Sequence, residues 1–241
     1  MPSLRLGLRI TAIYFAVVAL ATIYNFTLTP PPGDTVAMLW RLLPLQLVLV
    51  GMLIFVVTRC TSWAAVGFGR LRWRSALWLS PSFILIIVMF QSLGDEIFQA
   101  PVALWVLLMV PVLIGFSEEV MFRGLLLRGA MTRLPLAQAM LLSALSFALL
   151  HVINGIGLQA IWPTVQHTGL AFCVGFFLAP VALKIGNLWP LILWHALWDL
   201  LIFSSQILGV IHASALFAIL IQAVVCIWLW ADMTRKDFRA P

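Results

Sequence analysis

The sequence predicts an all-α membrane protein, a bundle of about eight transmembrane helices with a cluster of polar groups inside the bundle. Of its 241 residues, 63% are hydrophobic and only 9% are charged. Soluble domains are nearer 45–50% apolar and about 25% charged. A soluble globule could not bury so much apolar surface, so lipid must cover it. A few ionisable residues inside the apolar runs indicate a functional site.

Apolar runs of about 20 residues, separated by turn signals, predict the individual spans. The turn signals are Thr29–Asp34, Gly67–Gly69, Leu134-Pro135 and Gly186-Asn187. The expected spans are 8–29, 36–58, 76–93, 100–131, 135–160, 165–184, 188–206 and 210–231.

The N-terminus has features of a secretory signal peptide. Arg5 and Arg9 precede an apolar run, and Ala19-Leu20-Ala21 resembles a cleavage site. The apolar run continues to Leu28, however, so we expect an uncleaved first helix.

The net charge of +6 comes from short basic clusters between apolar runs, a distribution that excludes nucleic-acid binding and indicates loops on the cytoplasmic side. Thirteen of the fourteen basic residues fall in alternate connections, which predicts that both termini are cytoplasmic. These residues are Arg5, Arg9, Arg59, Arg70, Arg72, Arg74, Arg123, Arg128, Arg133, Lys184, Arg235, Lys236 and Arg239. The three cysteines show neither metal-ligand spacing nor an even count for disulfides.

Two adjacent glutamates lie in the fourth apolar run. An ionisable group in hydrocarbon costs about 2.5–3.5 kcal/mol, so it is retained where it faces a bundle interior. Glu119 and Arg123 are four residues apart on a helix and can pair, while Glu118 is turned about 100° away toward a possible cavity. Taken alone, the two residues would be better explained as interfacial glutamates that cap or solubilise a helix end.

His151 ends the next helix, four residues after Phe147. Glu118 lies 16 residues before Leu134, and His151 lies 16 residues after Pro135. In an antiparallel hairpin both side chains sit about 24 Å from the turn, so they can meet. A core histidine bonded to a backbone carbonyl is the alternative.

His195 and Asp199 share one face of the seventh helix, at i and i+4. They could be a self-sufficient pair that stabilises the bundle. Few structural needs explain a free carboxylate, two histidines and an acid from a third helix, so together they favour a site. Two other histidines, His167 and His212, fall near turns and are expected at the surface.

These three groups resemble the family of CAAX-type and bacteriocin-processing intramembrane proteases, also called the Abi family. Its pattern is Glu-Glu-x-x-x-Arg, Phe-x-x-x-His and His-x-x-x-Asn/Asp, which Glu118-Glu119…Arg123, Phe147…His151 and His195…Asp199 reproduce. The resemblance covers about 111–205 and implies an endopeptidase in a prokaryotic plasma membrane. We then expect one domain over 1–241, with N-terminal spans in 1–99, a catalytic core in 100–206, and the last span and basic tail in 207–241.

The resemblance implies that Glu118 is the catalytic base beside His151, with His195 and Asp199 on the oxyanion side. Amide hydrolysis needs an activated water and a stabilised oxyanion, and a carboxylate withdrawn from water is a stronger base. We expect Glu118 to take the water proton, His151 to hold the water or shuttle the proton, and His195 to donate to the oxyanion. An ionised Asp199 would repel an oxyanion, so we expect it to orient His195 or keep it protonated. Glu119, Arg123 and Phe147 are expected to support the site structurally.

No cofactor is expected. The runner-up mechanism uses zinc, since Glu118, His151 and His195 are suitable ligand types. The expected partners are membrane lipid and a peptide or protein substrate, with or without a lipid attached. Two non-peptidase functions remain open: a bacteriocin-immunity or scaffold protein without enzymatic activity, and a proton-coupled transporter, because acid–histidine chains also relay protons.

Overall fold

A computed structural model gives the fold of residues 1–29, 32–91, 93, 101–153, 155, 161–210 and 214–235; within these, the side chains of 27, 101–103, 214–220 and 223 are not described. Over these ranges all regular structure is helical and no strand occurs, so the predicted class is confirmed. The helices are α1 Leu4–Ile23, α2 Thr35–Cys60, α3 Trp73–Ala76, α4 Ser80–Gln91, α5 Pro101–Glu118, α6 Leu127–Ala130, α7 Leu136–Ile153, α8 Ile161–Ile185, α9 Trp189–Leu208 and α10 Ser214–Arg235.

Among the described residues, seven helices are long and apolar enough to cross a membrane, with consecutive helical segments counted as one helix. They are Leu4–Phe26, Thr35–Cys60, Trp73–Gln91, Leu104–Ala130, Leu136–Ile153, Ile161–Ile185 and Trp189–Leu208. Each overlaps one predicted span, and the eighth predicted span corresponds to α10, part of which lies outside the described side chains. The chain is therefore an integral multi-pass membrane protein.

Local sequence explains where the first two helices begin. The Ser3 hydroxyl accepts a hydrogen bond from the backbone N–H of Leu6, and the Asp34 carboxylate accepts one from Ala37 at 2.7 Å. Both are N-caps, which satisfy backbone donors that have no partner inside the helix. Asp34, predicted as a turn residue, therefore also fixes the start of α2.

The fourth span is not a uniform α-helix. Between α5 and α6, residues Glu119–Leu126 form a π-helix, and all eight of them are buried. Segments of π-helix are rare and are frequently found at functional sites. This one begins directly after Glu118, so it sets the direction of both glutamates.

The packing of the helices places the fourth span at the centre. Helix α5 packs between α2 and α9, while the π-helical segment packs against α1. Helix α7 packs on α8, and α8 in turn packs on α10. Glutamates of the fourth span therefore face neighbours from both the N-terminal and the C-terminal halves.

Two predicted turns dock against each other on one side of the bundle. The Leu188 N–H donates to the Gly67 carbonyl at 2.9 Å, and the Asn187 amide donates to the Gly69 carbonyl at 2.7 Å. Gly67 adopts a φ of 104°, a left-handed conformation that favours glycine. This contact joins the loop after α2 to the α8–α9 junction.

Candidate active site

A cavity of about 240 Å³ lies inside the bundle, and Glu118, His151, His195 and Asp199 all line it. Glu118 and His195 are 8% and 5% exposed, so both are almost withdrawn from solvent. The side chains come from α5, α7 and α9, as the spacing of the motifs led us to expect. Most of the other lining residues are apolar, so the cavity combines a polar cluster with apolar walls.

Glu119 holds the polar cluster together. Its Oε1 lies 2.9 Å from Arg123 Nη1 and also 2.9 Å from His195 Nδ1. The predicted Glu119–Arg123 pair is thus confirmed, and both residues are completely buried. The Arg123 guanidinium also lies 4.2 Å from the centre of the Phe147 ring, which is a cation–π contact. Phe147 therefore packs directly against the polar cluster.

The short hydrogen bond of the His195 ring is made to Glu119, whereas Asp199, expected to orient His195 or keep it protonated, forms a longer ion pair with the other ring nitrogen. A carboxylate accepts hydrogen bonds, so Nδ1 of His195 carries a proton and donates it to Glu119. The Nε2 atom is left facing the cavity, 3.8 Å from Glu118 Oε2 and 3.7 Å from Asp199 Oδ2. Both separations exceed a direct hydrogen bond and suit a bridging water.

His151 has the features of both interpretations, the core histidine and the residue of a site. Its Nδ1 lies 2.8 Å from the Phe147 carbonyl, four residues back, which is the bond expected of a core histidine. The carbonyl can only accept, so Nδ1 is the donor and Nε2 keeps a lone pair. The half-buried ring nevertheless lines the cavity and packs 4.8 Å from the Phe147 ring.

Gly115 brings α5 and α9 close enough for Glu118 and His195 to meet. A Cβ at this position would lie 3.0 Å from the Ile192 carbonyl oxygen and 3.1 Å from the Ala196 nitrogen. Only glycine allows backbones to approach so closely, as at small-residue contacts between membrane helices. Residue spacing along α5 gives no sign of this contact between Gly115 and the backbone that carries His195.

Three polar residues of the site were missed by the sequence analysis. The Tyr14 hydroxyl lies 3.0 Å from Ser117 Oγ, which also lies 3.1 Å from Gln46 Oε1. All three are buried, and Tyr14 and Gln46 line the cavity beside Glu118. An available signal was the rarity of such residues, since the chain has only two tyrosines.

Some positional expectations were wrong. Arg123 and Arg128 were assigned to a cytoplasmic loop, but their exposures are 0% and 3%; only Arg133 of that group is exposed. His167 is exposed as predicted, yet it lines the cavity and its ring centre lies 4.9 Å from that of His151. His212 lies outside the described residues.

Metal ligation by this cluster was the alternative left open. Among the residues that the structure describes, no three His, Cys, Asp or Glu side chains are grouped so as to hold a metal ion. Glu118, His151 and His195 line one cavity without forming such a group.

Comparison with known proteins gives one match. Residues 100–201 match the family model described as type II CAAX prenyl endopeptidase Rce1-like. The predicted resemblance is confirmed. All three motifs lie within the matched segment, which supports intramembrane protease activity in general. Searches of curated proteins and of solved structures gave no match.

Proposed function

We propose that this protein is an intramembrane endopeptidase that hydrolyses a peptide bond with a water activated by Glu118. The observation that supports this most directly is the position of His195 Nε2, which lies 3.8 Å from Glu118 Oε2 and 3.7 Å from Asp199 Oδ2. A water that bridges these groups fits such distances. The Rce1-like match over 100–201 supports the same reaction class.

Glu118 is the general base in this proposal. Its Oε2 is buried and has no hydrogen-bond partner among the described residues, so this oxygen can accept a hydrogen bond from a water. Glu118 takes a proton from the water, and the resulting hydroxide attacks the carbonyl carbon of the substrate. A positioned general base typically contributes about 10²–10⁴-fold to the rate.

The histidines and Asp199 complete the reaction. His195, held through Nδ1 by Glu119, donates from Nε2 to the developing oxyanion, a term worth about 3–4 kcal/mol per donor. His151 uses the lone pair of Nε2 to relay the proton to the leaving amine. Glu119 binds Nδ1 of His195, whereas Asp199 lies near Nε2. In this position Asp199 holds the water and keeps the proton on Nε2.

The substrate is a membrane-associated peptide or protein segment. The cavity combines the polar cluster described above with apolar residues such as Phe26, Leu42 and Phe203, which suit an extended peptide with apolar side chains. The family description names prenyl endopeptidases, so a lipidated chain end is the first substrate class to test. The catalytic core of 100–206, the metal-free mechanism and a prokaryotic plasma membrane location belong to the same proposal.

A carboxylate-to-amide change at Glu118 tests the function directly. Purified protein in liposomes is incubated with membrane peptides that carry or lack a prenylated C-terminus, and cleavage is followed by mass spectrometry. We expect Glu118→Gln to reduce cleavage by about 10²-fold or more, because glutamine cannot accept the proton. His195→Ala and His151→Ala are expected to reduce it as well.

Asp34→Asn is the matched control, since it also replaces a carboxylate by an amide, but at an exposed helix N-cap. Asparagine is as good an N-cap as aspartate, so this variant should fold and cleave as wild type does. Wild-type cleavage by Glu118→Gln would refute the proposal and favour a scaffold or immunity role. Cleavage that survives strong chelation supports the metal-free mechanism, whereas loss restored by zinc alone would overturn it.

A further inference from the structure

A second cavity, of about 690 Å³, lies away from the candidate active site and shares no lining residue with it. Its lining includes the loop Gly69–Arg74, together with Ala64, Arg128 and Gly186. Every charged residue in this lining is an arginine: Arg70, Arg72, Arg74 and Arg128. We refer to it as the arginine pocket.

Arg128 is the most buried of the four, and no carboxylate among the described residues forms an ion pair with it. It is 3% exposed, and its Nε and Nη2 atoms have no hydrogen-bond partner. Arg123, five residues earlier, is equally buried but pairs with Glu119. A buried charge is retained when something compensates it, so a buried arginine that also lines a pocket points to a ligand that is an anion.

The backbone around Arg128 is built to accommodate the guanidinium. A Cβ on Gly67 would lie 2.9 Å from both Nε and Nη2, so these donors rest against a bare Cα. The same glycine carries the hydrogen bond from Leu188 that docks the loop onto the α8–α9 junction. The position of the pocket-lining loop is therefore fixed by tertiary contacts.

The surroundings of the pocket favour a ligand at the membrane surface. Leu71, Trp73 and Leu77 are 45%, 65% and 59% exposed beside the arginines. Tryptophan is enriched at the boundary between lipid and water, and basic pockets between membrane helices bind anionic lipid headgroups. The planar guanidinium fork matches the geometry of a phosphate group.

We propose that the arginine pocket binds a phosphate group, with Arg128 as the buried contact and Arg70, Arg72 and Arg74 as the outer ones. In a membrane the source is the headgroup of an anionic phospholipid; free phosphate has the same chemistry. The proposal does not depend on the peptidase function, because the two cavities share no residue.

Native mass spectrometry of the full chain in detergent tests this binding. The protein is titrated with phosphatidylglycerol or phosphatidylcholine, each with and without millimolar inorganic phosphate. We expect selective retention of phosphatidylglycerol and about tenfold weaker binding in Arg128→Gln, since one charge-assisted contact is lost. Arg133→Gln, which removes an exposed arginine outside the pocket, is expected to bind as wild type does.

A double variant, Arg70→Gln with Arg72→Gln, provides a test that does not disturb the core, because both side chains are exposed. It too is expected to weaken phosphatidylglycerol binding. Displacement of the lipid by inorganic phosphate would show that phosphate alone suffices, and resistance would show that the whole headgroup is recognised. Equal binding of both lipids, or unchanged phosphatidylglycerol binding by Arg128→Gln, would overturn the proposal.

Discussion

At the residue scale, two adjacent glutamates have different environments. Glu119 is completely buried and contacts two potential cations, Arg123 and His195, each at 2.9 Å. Glu118 keeps an unpartnered buried oxygen at the cavity. A carboxylate without a partner costs stability, and proteins accept such costs mainly at functional sites.

We therefore predict opposite stability effects for the same substitution at neighbouring positions. Glu119→Gln should lower the free energy of unfolding by about 3 kcal/mol, because it leaves Arg123 as an uncompensated buried charge. Glu118→Gln should leave stability unchanged or raise it, since it removes a buried carboxylate whose Oε2 accepts no hydrogen bond from the described residues. Thermal unfolding of both variants in the same detergent measures the difference.

Cleavage activity separates the two variants further. Glu119→Gln should lose activity together with stability, whereas Glu118→Gln should lose activity alone. If Glu118→Gln unfolded as readily as Glu119→Gln, Glu118 would be a structural partner and its assignment as the base would fail.

At the element scale, the approach of α5 to α9 determines whether the site can form. Gly115 lies one turn before Glu118 on α5, directly against the backbone of α9 that carries His195. The π-helical segment that follows then changes the helical register between Glu118 and Arg123. Both features therefore set the distances between polar groups at the cavity.

A side chain at Gly115 should therefore reduce activity by separating the helices. We expect Gly115→Val to lower the cleavage rate by about 10²-fold, because an error of about 1 Å in catalytic geometry has an effect of that order. Gly51→Val in α2 is the control, since a Cβ there meets nothing within 4 Å. The comparison requires cleavage rates and a check that both variants are folded. A wild-type rate for Gly115→Val would show that this contact does not set the geometry.

At the scale of the whole molecule, the site depends on more than the segment that matches the protease family. Tyr14 of α1 and Gln46 of α2 line the cavity, although the matched residues are 100–201. Another long-range contact is the ion pair of Lys184 with Asp232 at 2.9 Å, which ties α8 to α10. The first two helices therefore form part of the wall of the cavity that Glu118 lines.

The predicted orientation, with both termini in the cytoplasm, can be tested with a natural cysteine. Cys60 is exposed at the end of α2, next to the loop that carries Arg70, Arg72 and Arg74. By the positive-inside rule this loop is cytoplasmic, so a membrane-impermeant maleimide should label Cys60 in inside-out vesicles and not in right-side-out ones. The control is Cys60→Ser, which should abolish this labelling. The reverse pattern of labelling would invert the topology.

Much of this architecture could be predicted from local sequence. Spans follow from apolar runs of fixed length, and the Glu119–Arg123 pair follows from helical spacing. The convergence of Glu118, His151 and His195 was expected because ionisable groups are costly in lipid. By contrast, the loop assignment of Arg123 and Arg128 was wrong, since charge alone does not distinguish an arginine in water from one buried in a bundle.

The sequence by itself determined the helical membrane class, the approximate spans and the motif residues, because these depend on composition and on spacing within one helix. Only the tertiary structure decided that Glu119 orients His195, that Tyr14 and Gln46 join the site, and that Arg128 is buried with two donor atoms unbonded by the described residues. These features depend on which faces of distant helices meet. That is set by packing between backbones, as at Gly115, and a periodic pattern along one helix does not encode it.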